Sequence, residues 1–344
     1  MPGEKRISDT VRAFSLHSGG GCAMMRISNQ ERNTLMSLPI VQYLSVPRER
    51  RIIAISDIHG CLDTFREILA KVGFSAEDEL FLVGDLFLKG PQPEETFHYI
   101  YDELRPLSNV HILRGNCDWK FDYMEDAAGE WIDGLPNIIE TEDWIFVHGG
   151  LPSRDYTAFD AYSCMKFDNY IEKTPGFDKW QIVGHFPVEH FCHEIACCNP
   201  FISEEKRVIG IDGGMGVRGD AQMNALLIQN GEVGFAAVDP LPKMIVEKAQ
   251  DATENPINIT WEERYVERLE DRGEVALWRH VKSGRELELP YGVVWPDQEG
   301  NTFVGPGGTD YFLPLSPGDE VGVVKRFSDR ILAKKDGFVG WVRL

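Results

Sequence analysis

Six side chains carrying oxygen or nitrogen donors fall at even intervals through the middle of this 344-residue sequence. Asp57 and His59 lie in "SDIHG", Asp85 in "GDLFLKG", Asn116 in "RGNCD", His148 in "VHGG" and His185 in "VGH". Successive steps from Asp57 through Asp85, Asn116 and His148 to His185 are 28, 31, 32 and 37 residues. Alone, an Asp-X-His tripeptide is more often a solvated loop than a ligand pair, and a Val-Gly-Asp is usually a turn. Five such stretches in order are far harder to assign to chance. A mixture of carboxylate, imidazole and amide suits two divalent metal ions of the Mn, Fe or Zn kind, with Asp85 able to bridge them.

Each donor follows a short apolar run rich in β-branched residues, the mark of a buried strand. The runs are "IIAI" before Asp57, "ELFLVG" before Asp85, "NVHILRG" before Asn116, "DWIFV" before His148 and "WQIVG" before His185. "RVIGIDGG" at 207–214 follows the same rule. Between the first strands lie helical patterns over 62–73, stopped by Gly73, and 93–107, started by Pro93. Strand alternating with helix predicts an α/β fold that gathers its ligands beyond the strand ends. "NALLIQNGEVGFAAVD" at 224–239 predicts a hairpin around Asn230-Gly231.

Four segments are expected. Residues 1–48 form an N-terminal extension, with a Gly run at 19–21 and an over-long translation start in residues 1–24. Residues 49–245 form the α/β domain, 246–261 a polar linker, and 262–344 a small C-terminal β domain whose DG hairpin and Gly340-Trp341 suit an SH3-like barrel. Its Trp278, Tyr291, Trp295, Phe312 and Trp341 are expected mainly in its core, with a peptide or glycan groove as the further reading.

Charge and cysteine usage narrow the function classes. With 35 Lys and Arg against 55 Asp and Glu, the formal net charge is -20. That field repels extended nucleic acid, yet a small phosphorylated ligand is still accessible where a metal supplies local positive charge. Seven scattered cysteines form neither a disulfide framework nor a zinc ribbon, and "FCHEIACC" lacks a second half with ligand spacing. His190 and His193 are expected to be solvated loop residues. No stretch has membrane-span character, so a soluble, cytoplasmic protein is expected.

In their order, the blocks "SDIHG", "GDLFLKG", "RGNCD", "VHGG" and "VGHFPV" resemble the calcineurin-like metallophosphoesterases. The last two, with "IDGG", most resemble the bacterial phosphoprotein-phosphatase branch, which includes serine/threonine phosphatases and diadenosine tetraphosphate hydrolases. The resemblance implies a four-layer αββα sandwich. It also implies one metal on Asp57, His59 and Asp85, and a second on Asp85, Asn116, His148 and His185. The activity implied is phosphate-ester hydrolysis by a metal-activated hydroxide, on a phosphorylated small molecule, a nucleotide or a phosphoprotein. "GNCD" also resembles the third block of small bacterial phosphodiesterases of that superfamily.

The chain departs from the family at one place that bears on chemistry. Where the branch reads GDxxDRG and then GNH followed by an acid, this sequence has Leu88, Lys89 and Cys117, with Asp118 as the acid. The family histidine assists the leaving group and the family aspartate orients it. Leu88 cannot orient an imidazole, and Cys117 offers none. A thiol is a poor acid near neutrality and tends to thiolate beside divalent cations, so Cys117 is expected to be packed rather than nucleophilic. Asp118 is expected to cap the next turn. Lys89, with Lys166 or Arg154, is expected to meet the phosphate. Poor leaving groups such as a serine alkoxide would therefore react slowly, which keeps open a serine/threonine phosphatase, a phosphodiesterase or dinucleoside polyphosphate hydrolase, and a non-catalytic scaffold.

Overall fold

The computed structural model describes residues 37–121 and 124–344. Residues 1–24, and with them most of the expected extension, lie outside the described residues.

The α/β part contains, in chain order, β1 (Val41–Tyr43), β2 (Arg51–Ile55), β3 (Asp78–Val83), β4 (Val110–Leu113), β5 (Ile138–Glu140), β6 (Trp144–Val147), β7 (Trp180–Val183), β8 (Phe201–Ser203), β9 (Val208–Gly210), β10 (Met223–Gln229) and β11 (Glu232–Val238). These form two mixed sheets, ordered β11-β10-β2-β3-β4 and β1-β5-β6-β7-β9-β8. In the first, β2, β3 and β4 are parallel, with Ile55 opposite Leu82 and Val83 opposite Leu113. In the second, β6, β7 and β9 are parallel, with Val147 opposite Val183 and Val183 opposite Gly210. Asn230 and Gly231, both at positive φ, make the two-residue turn between β10 and β11.

Strand pleating explains why these runs are apolar throughout. Successive side chains point to opposite faces, so a strand covered on both sides needs both sets apolar. Ile52 and Ala54 of β2, with Phe81 and Val83 of β3, meet Phe146, Ile182 and Ile209 from the second sheet. Phe81 and Phe146 stack there with ring centroids 3.8 Å apart. Ile53, Ile55, Leu80 and Leu82 face the other way, onto Phe65, Ile68 and Leu69 of the helix Leu62–Val72 and onto Ile100 and Leu104. Beyond the second sheet, Ile138, Ile145, Val147 and Val183 pack with Leu151, Cys164 and Tyr170. Helices on the two outer faces and sheet on sheet within give the layered α/β arrangement.

From Lys243 onward the regular elements are short strands, apart from two single helical turns at Trp261–Glu263 and Tyr291–Val293. Lys243–Ile245 pairs with Glu320–Arg326, which continues through Arg330–Lys335 to Phe338–Arg343. Val266–Asp271, Val275–His280 and Glu286–Pro290 form a second sheet. Trp278 and Trp341 are buried in this region's core, and Tyr291, Trp295 and Phe312 pack against it. No helix among the described residues is long and apolar enough to cross a membrane.

Buried charge fixes this β region to the α/β part. The Lys334 ammonium donates to the carbonyls of Asp220 (2.9 Å) and Ala221 (2.8 Å). Arg218 forks onto Asp220 and also meets Glu189 at 2.7 Å, while Asn258 donates to the same Glu189 at 2.7 Å. Although burial works the other way, Arg218 and these neighbours hold the Glu189 carboxyl down to about 2. A folded value below the unfolded one, about 4.3, stabilises fully above that value and is lost as pH falls through the interval toward 2. Glu189→Gln should therefore lower stability at pH 6 by about 3 kcal/mol, the linkage equivalent of that shift. The gap from wild type should shrink steadily in urea denaturation repeated down to pH 3. A gap independent of pH would refute this.

Candidate metal centre

All six predicted donors stand at the carboxyl ends of parallel strands. Asp57 and His59 follow β2, Asp85 follows β3, Asn116 follows β4, His148 follows β6 and His185 follows β7. The two sheets thus deliver them to one edge of the sandwich. The backbone there is bent into the left-handed region at Asp57 (φ 52°), His59 (50°), Asp85 (55°), Lys89 (84°) and His185 (68°). Such conformations cost of order 1–3 kcal/mol each for residues with a Cβ, and they persist where a site depends on them. Gly115 is required as well, since an added Cβ would lie 2.2 Å from Asp85 Oδ1.

The donors converge in two groups that share Asp85. His59, Asp85 and Cys117 present ligand atoms all within 4.8 Å of one another, and so do Asp85, His148 and His185. His59 Nε2 lies 3.5 Å from Asp85 Oδ2 and 3.7 Å from Asp57 Oδ1. His148 Nε2 lies 3.2 Å from Asp85 Oδ1 and 3.3 Å from Asn116 Oδ1. His148 Nδ1 is 2.8 Å from the Val83 carbonyl. A proton held on Nδ1 to make that bond turns the Nε2 lone pair inward, the orientation that ligating imidazoles require.

Electrostatics shows what the pocket needs. Asp57, Asp85, Asp118 and Asp212 are all at most 2% exposed. Burial, opposed by His148 and reinforced by Asp85, pushes the Asp57 carboxyl up to about 6. Burial and the Asp57 charge push Asp212 well above the carboxylate range. Against its own burial, Asp85 is held well down by His148 and His59. Burial lowers His59 to about 3 and His185 to about 4, so these imidazoles favour the neutral, lone-pair form. Asp57 Oδ1 and His59 Nδ1 are buried without a hydrogen-bond partner. Against its own burial, His148 is raised to about 9 by Asp85, the charge a cation would replace. Carboxylates crowded in low dielectric beside imidazoles form a donor set that suits divalent cations.

Asp118 does not cap the following turn. Its carboxylate accepts from the backbone N–H of Asp85 (2.8 Å), Leu86 (2.7 Å) and Gly115 (2.8 Å), tying the β3 and β4 loops together. Cys117 is 1% exposed, and its N–H donates to Asp85 Oδ1 at 2.7 Å. The Lys89 ammonium lies 3.2 Å from His59 Nε2, and the Lys166 ammonium 3.3 Å from His185 Nε2. Arg154 instead donates to the Gly176 carbonyl at 2.6 Å.

Three residues escaped the sequence reading. Asp212 stands two residues beyond β9, within the "RVIGIDGG" stretch that follows the donor rule, which marks its place though not its role. Asp168 meets His185 Nε2 at 2.7 Å and Lys166 at 2.6 Å from a loop with no local signal. The Tyr170 hydroxyl is buried without a hydrogen-bond partner, and its ionisation is raised by burial and by the charges of Asp212 and Asp57.

Residues 50–213 match the family model described as calcineurin-like phosphoesterase. This segment belongs to the calcineurin-like phosphoesterase family. A symmetrical bis(5'-nucleosyl)-tetraphosphatase from Shewanella loihica is 45% identical over 177 residues, covering 45% of this chain and 62% of that protein. One of the same name from Chromobacterium violaceum is 28% identical over 122 residues, covering 29% of this chain and 43% of that protein. The chain thus spans less than two thirds of the length of these curated relatives. A protein serine/threonine phosphatase from Saccharomyces cerevisiae superposes with a TM-score of 0.42 at 13% identity, over 61% of this chain and 87% of that one. All six donors of this calcineurin-like segment fall inside the matched residues.

Proposed function

We propose that the chain is a metal-dependent phosphoesterase acting on substrates with a good leaving group, a dinucleoside polyphosphate or a nucleotide ester before an alkyl phosphate. The observation that supports this reading is the pairing of two donor groups through one carboxylate, Asp85, in a pocket of buried carboxylates. In this reading Asp57, His59 and Asp85 hold one divalent cation, and Asp85, Asn116, His148 and His185 hold the other, as Mn, Fe or Zn. Bound there, such cations would supply positive charge for phosphoryl oxygens and lower the pKa of water from 15.7 to about 7.

The chain's own residues do the rest. Asp118 holds the Asp85 and Gly115 loops at a fixed separation through its three backbone bonds. Lys89 and Lys166 stand on either side, one beside each donor group, where their ammonium ions can meet non-bridging oxygens as point charges. Among the described residues, every imidazole of the pocket is already in the donor set, so the leaving group finds no imidazolium to protonate it. That distinguishes phosphate-chain or nucleotidyl leaving groups from a serine alkoxide, and it favours the name carried by the curated relatives over a serine/threonine phosphatase.

The division into residues 49–245 and 262–344 joined by 246–261, an SH3-like character for 262–344, and a cytoplasmic setting belong to the same proposal. Purified full-length protein, loaded in turn with Mn²⁺, Fe²⁺ and Zn²⁺, should hydrolyse diadenosine tetraphosphate and bis-p-nitrophenyl phosphate at least tenfold faster than a phosphoserine peptide. A preference for the peptide would restore the serine/threonine phosphatase, and silence with every metal would leave only a scaffold.

A further inference from the structure

Cys117 stands where an acid is expected, but its surroundings suit a different role. Its backbone N–H is bound to Asp85 Oδ1, which anchors the residue beside the shared carboxylate. Its sulfur is within 4.8 Å of ligand atoms of both His59 and Asp85. Asn116 Nδ2 donates to that sulfur at 3.2 Å, so the sulfur already serves as an acceptor beside the donor group. Independently of the sulfur, Asp57 Oδ1 is buried without a hydrogen-bond partner and lies 3.7 Å from His59 Nε2, on the same side of the pocket. Asp57, His59, Asp85 and Cys117 together would offer two carboxylates, an imidazole and a thiol to one ion.

Resting on the metal-dependent reading above, we propose that Cys117 Sγ is itself a ligand of the cation held by Asp57, His59 and Asp85, and that this site selects a thiophilic ion such as zinc or ferrous iron over manganese. On binding, the S–H bond breaks, a sulfur–metal bond forms, and the proton leaves to solvent. Thiolate is a soft donor, and the Irving–Williams order already places manganese last, so the sulfur widens that gap. Replacing a neutral residue by an anionic ligand also lowers the net charge of the centre, which suits a substrate whose leaving group needs little help.

Cobalt(II) reads the two claims separately. Full-length protein stripped with EDTA and titrated with Co²⁺ should develop visible ligand-field bands, which report that the donor set binds metal at all. It should also develop a near-ultraviolet sulfur-to-cobalt charge-transfer band. Cys117→Ser should keep the visible bands and lose the charge-transfer band. Cys61→Ser, whose sulfur contacts the His59 carbonyl at 3.8 Å, should keep both. In competition, Cys117→Ser should lose at least tenfold of the wild-type preference for Zn²⁺ over Mn²⁺. Visible bands without charge transfer in wild type, or charge transfer that survives Cys117→Ser, would overturn the sulfur ligand and leave the metal centre standing. No visible bands in wild type would remove both. The visible bands of each variant also show that its site has folded.

Discussion

Asp85→Asn should cut hydrolysis of the best substrate by about 10³-fold or more and should leave the protein able to hold no more than one cation. The substitution is nearly isosteric. The Asp85 N–H still reaches Asp118, and the amide oxygen can still accept from the Cys117 N–H, so the loops of β3 and β4 have no steric reason to move. What disappears is the negative charge shared by both donor groups. Charge stabilisation by bound metal is worth several kcal/mol in such reactions, and each 1.36 kcal/mol is tenfold in rate. Asn116→Ala, which removes a donor of the second group and only a hydrogen bond to Cys117 Sγ beside the first, should lose less. Metal content after dialysis and kcat/KM, measured on the same preparations, check this together. If Asp85→Asn retained both cations and worked within tenfold of wild type, the shared carboxylate would not be the centre of the chemistry.

The donors were legible because each carries two signals that survive in one dimension. Each ends a buried apolar run, and most sit next to glycine. A strand that must be apolar on both faces can place a polar side chain only at its end, so the end of the run and the start of the site coincide. Asp57, Asp85, His148 and His185 all follow from that rule, and Asp212 would have followed from it too. The sandwich order was legible for the same reason, since both faces of β2, β3 and β6 read as interior.

The unread parts depend on contacts across long stretches of chain. Asp118 looks like any acid after a turn, and only the folded chain shows its carboxylate accepting from the loop that carries Asp85 and Leu86. Lys89, Lys166 and Arg154 are equivalent as loop cations in sequence, yet two stand beside donor imidazoles and the third is engaged with the Gly176 carbonyl. Asp168 lies in a loop whose composition carries no periodicity. Lys334 reads as part of an alternating surface strand, but its side chain is fully buried against the carbonyls of Asp220 and Ala221. Nothing near it in sequence announces that burial. Its nearest partners are carbonyl oxygens, which every residue has, and the Asp239 carboxylate at 3.4 Å is 95 residues away in the chain.

Restoring the missing acid should show what its loss costs. With Leu88→Asp and Cys117→His combined, hydrolysis of alkyl phosphomonoesters should rise about 10²-fold, the lower end of what general acid catalysis contributes. Cys117→His alone should gain less, because an imidazole with no carboxylate behind it is neither oriented nor raised in basicity. Leu88→Asp alone should gain nothing. The pair should therefore exceed the sum of the single changes, as expected of side chains that act only in contact. The gain must also depend on the leaving group. Aryl and polyphosphate substrates, which depart without a proton, should change by less than about tenfold, while alkyl esters change most. The double variant should acquire a basic limb in its pH profile near the ordinary imidazole value of about 6.5, where the new acid loses its proton. The four proteins assayed at saturating metal on alkyl and aryl monoesters supply all of these comparisons, and saturating metal offsets any affinity lost with the sulfur. An equal gain on both substrate classes would point to altered metal binding instead. No gain on either would mean that Leu88 and Cys117 are not what sets the substrate preference.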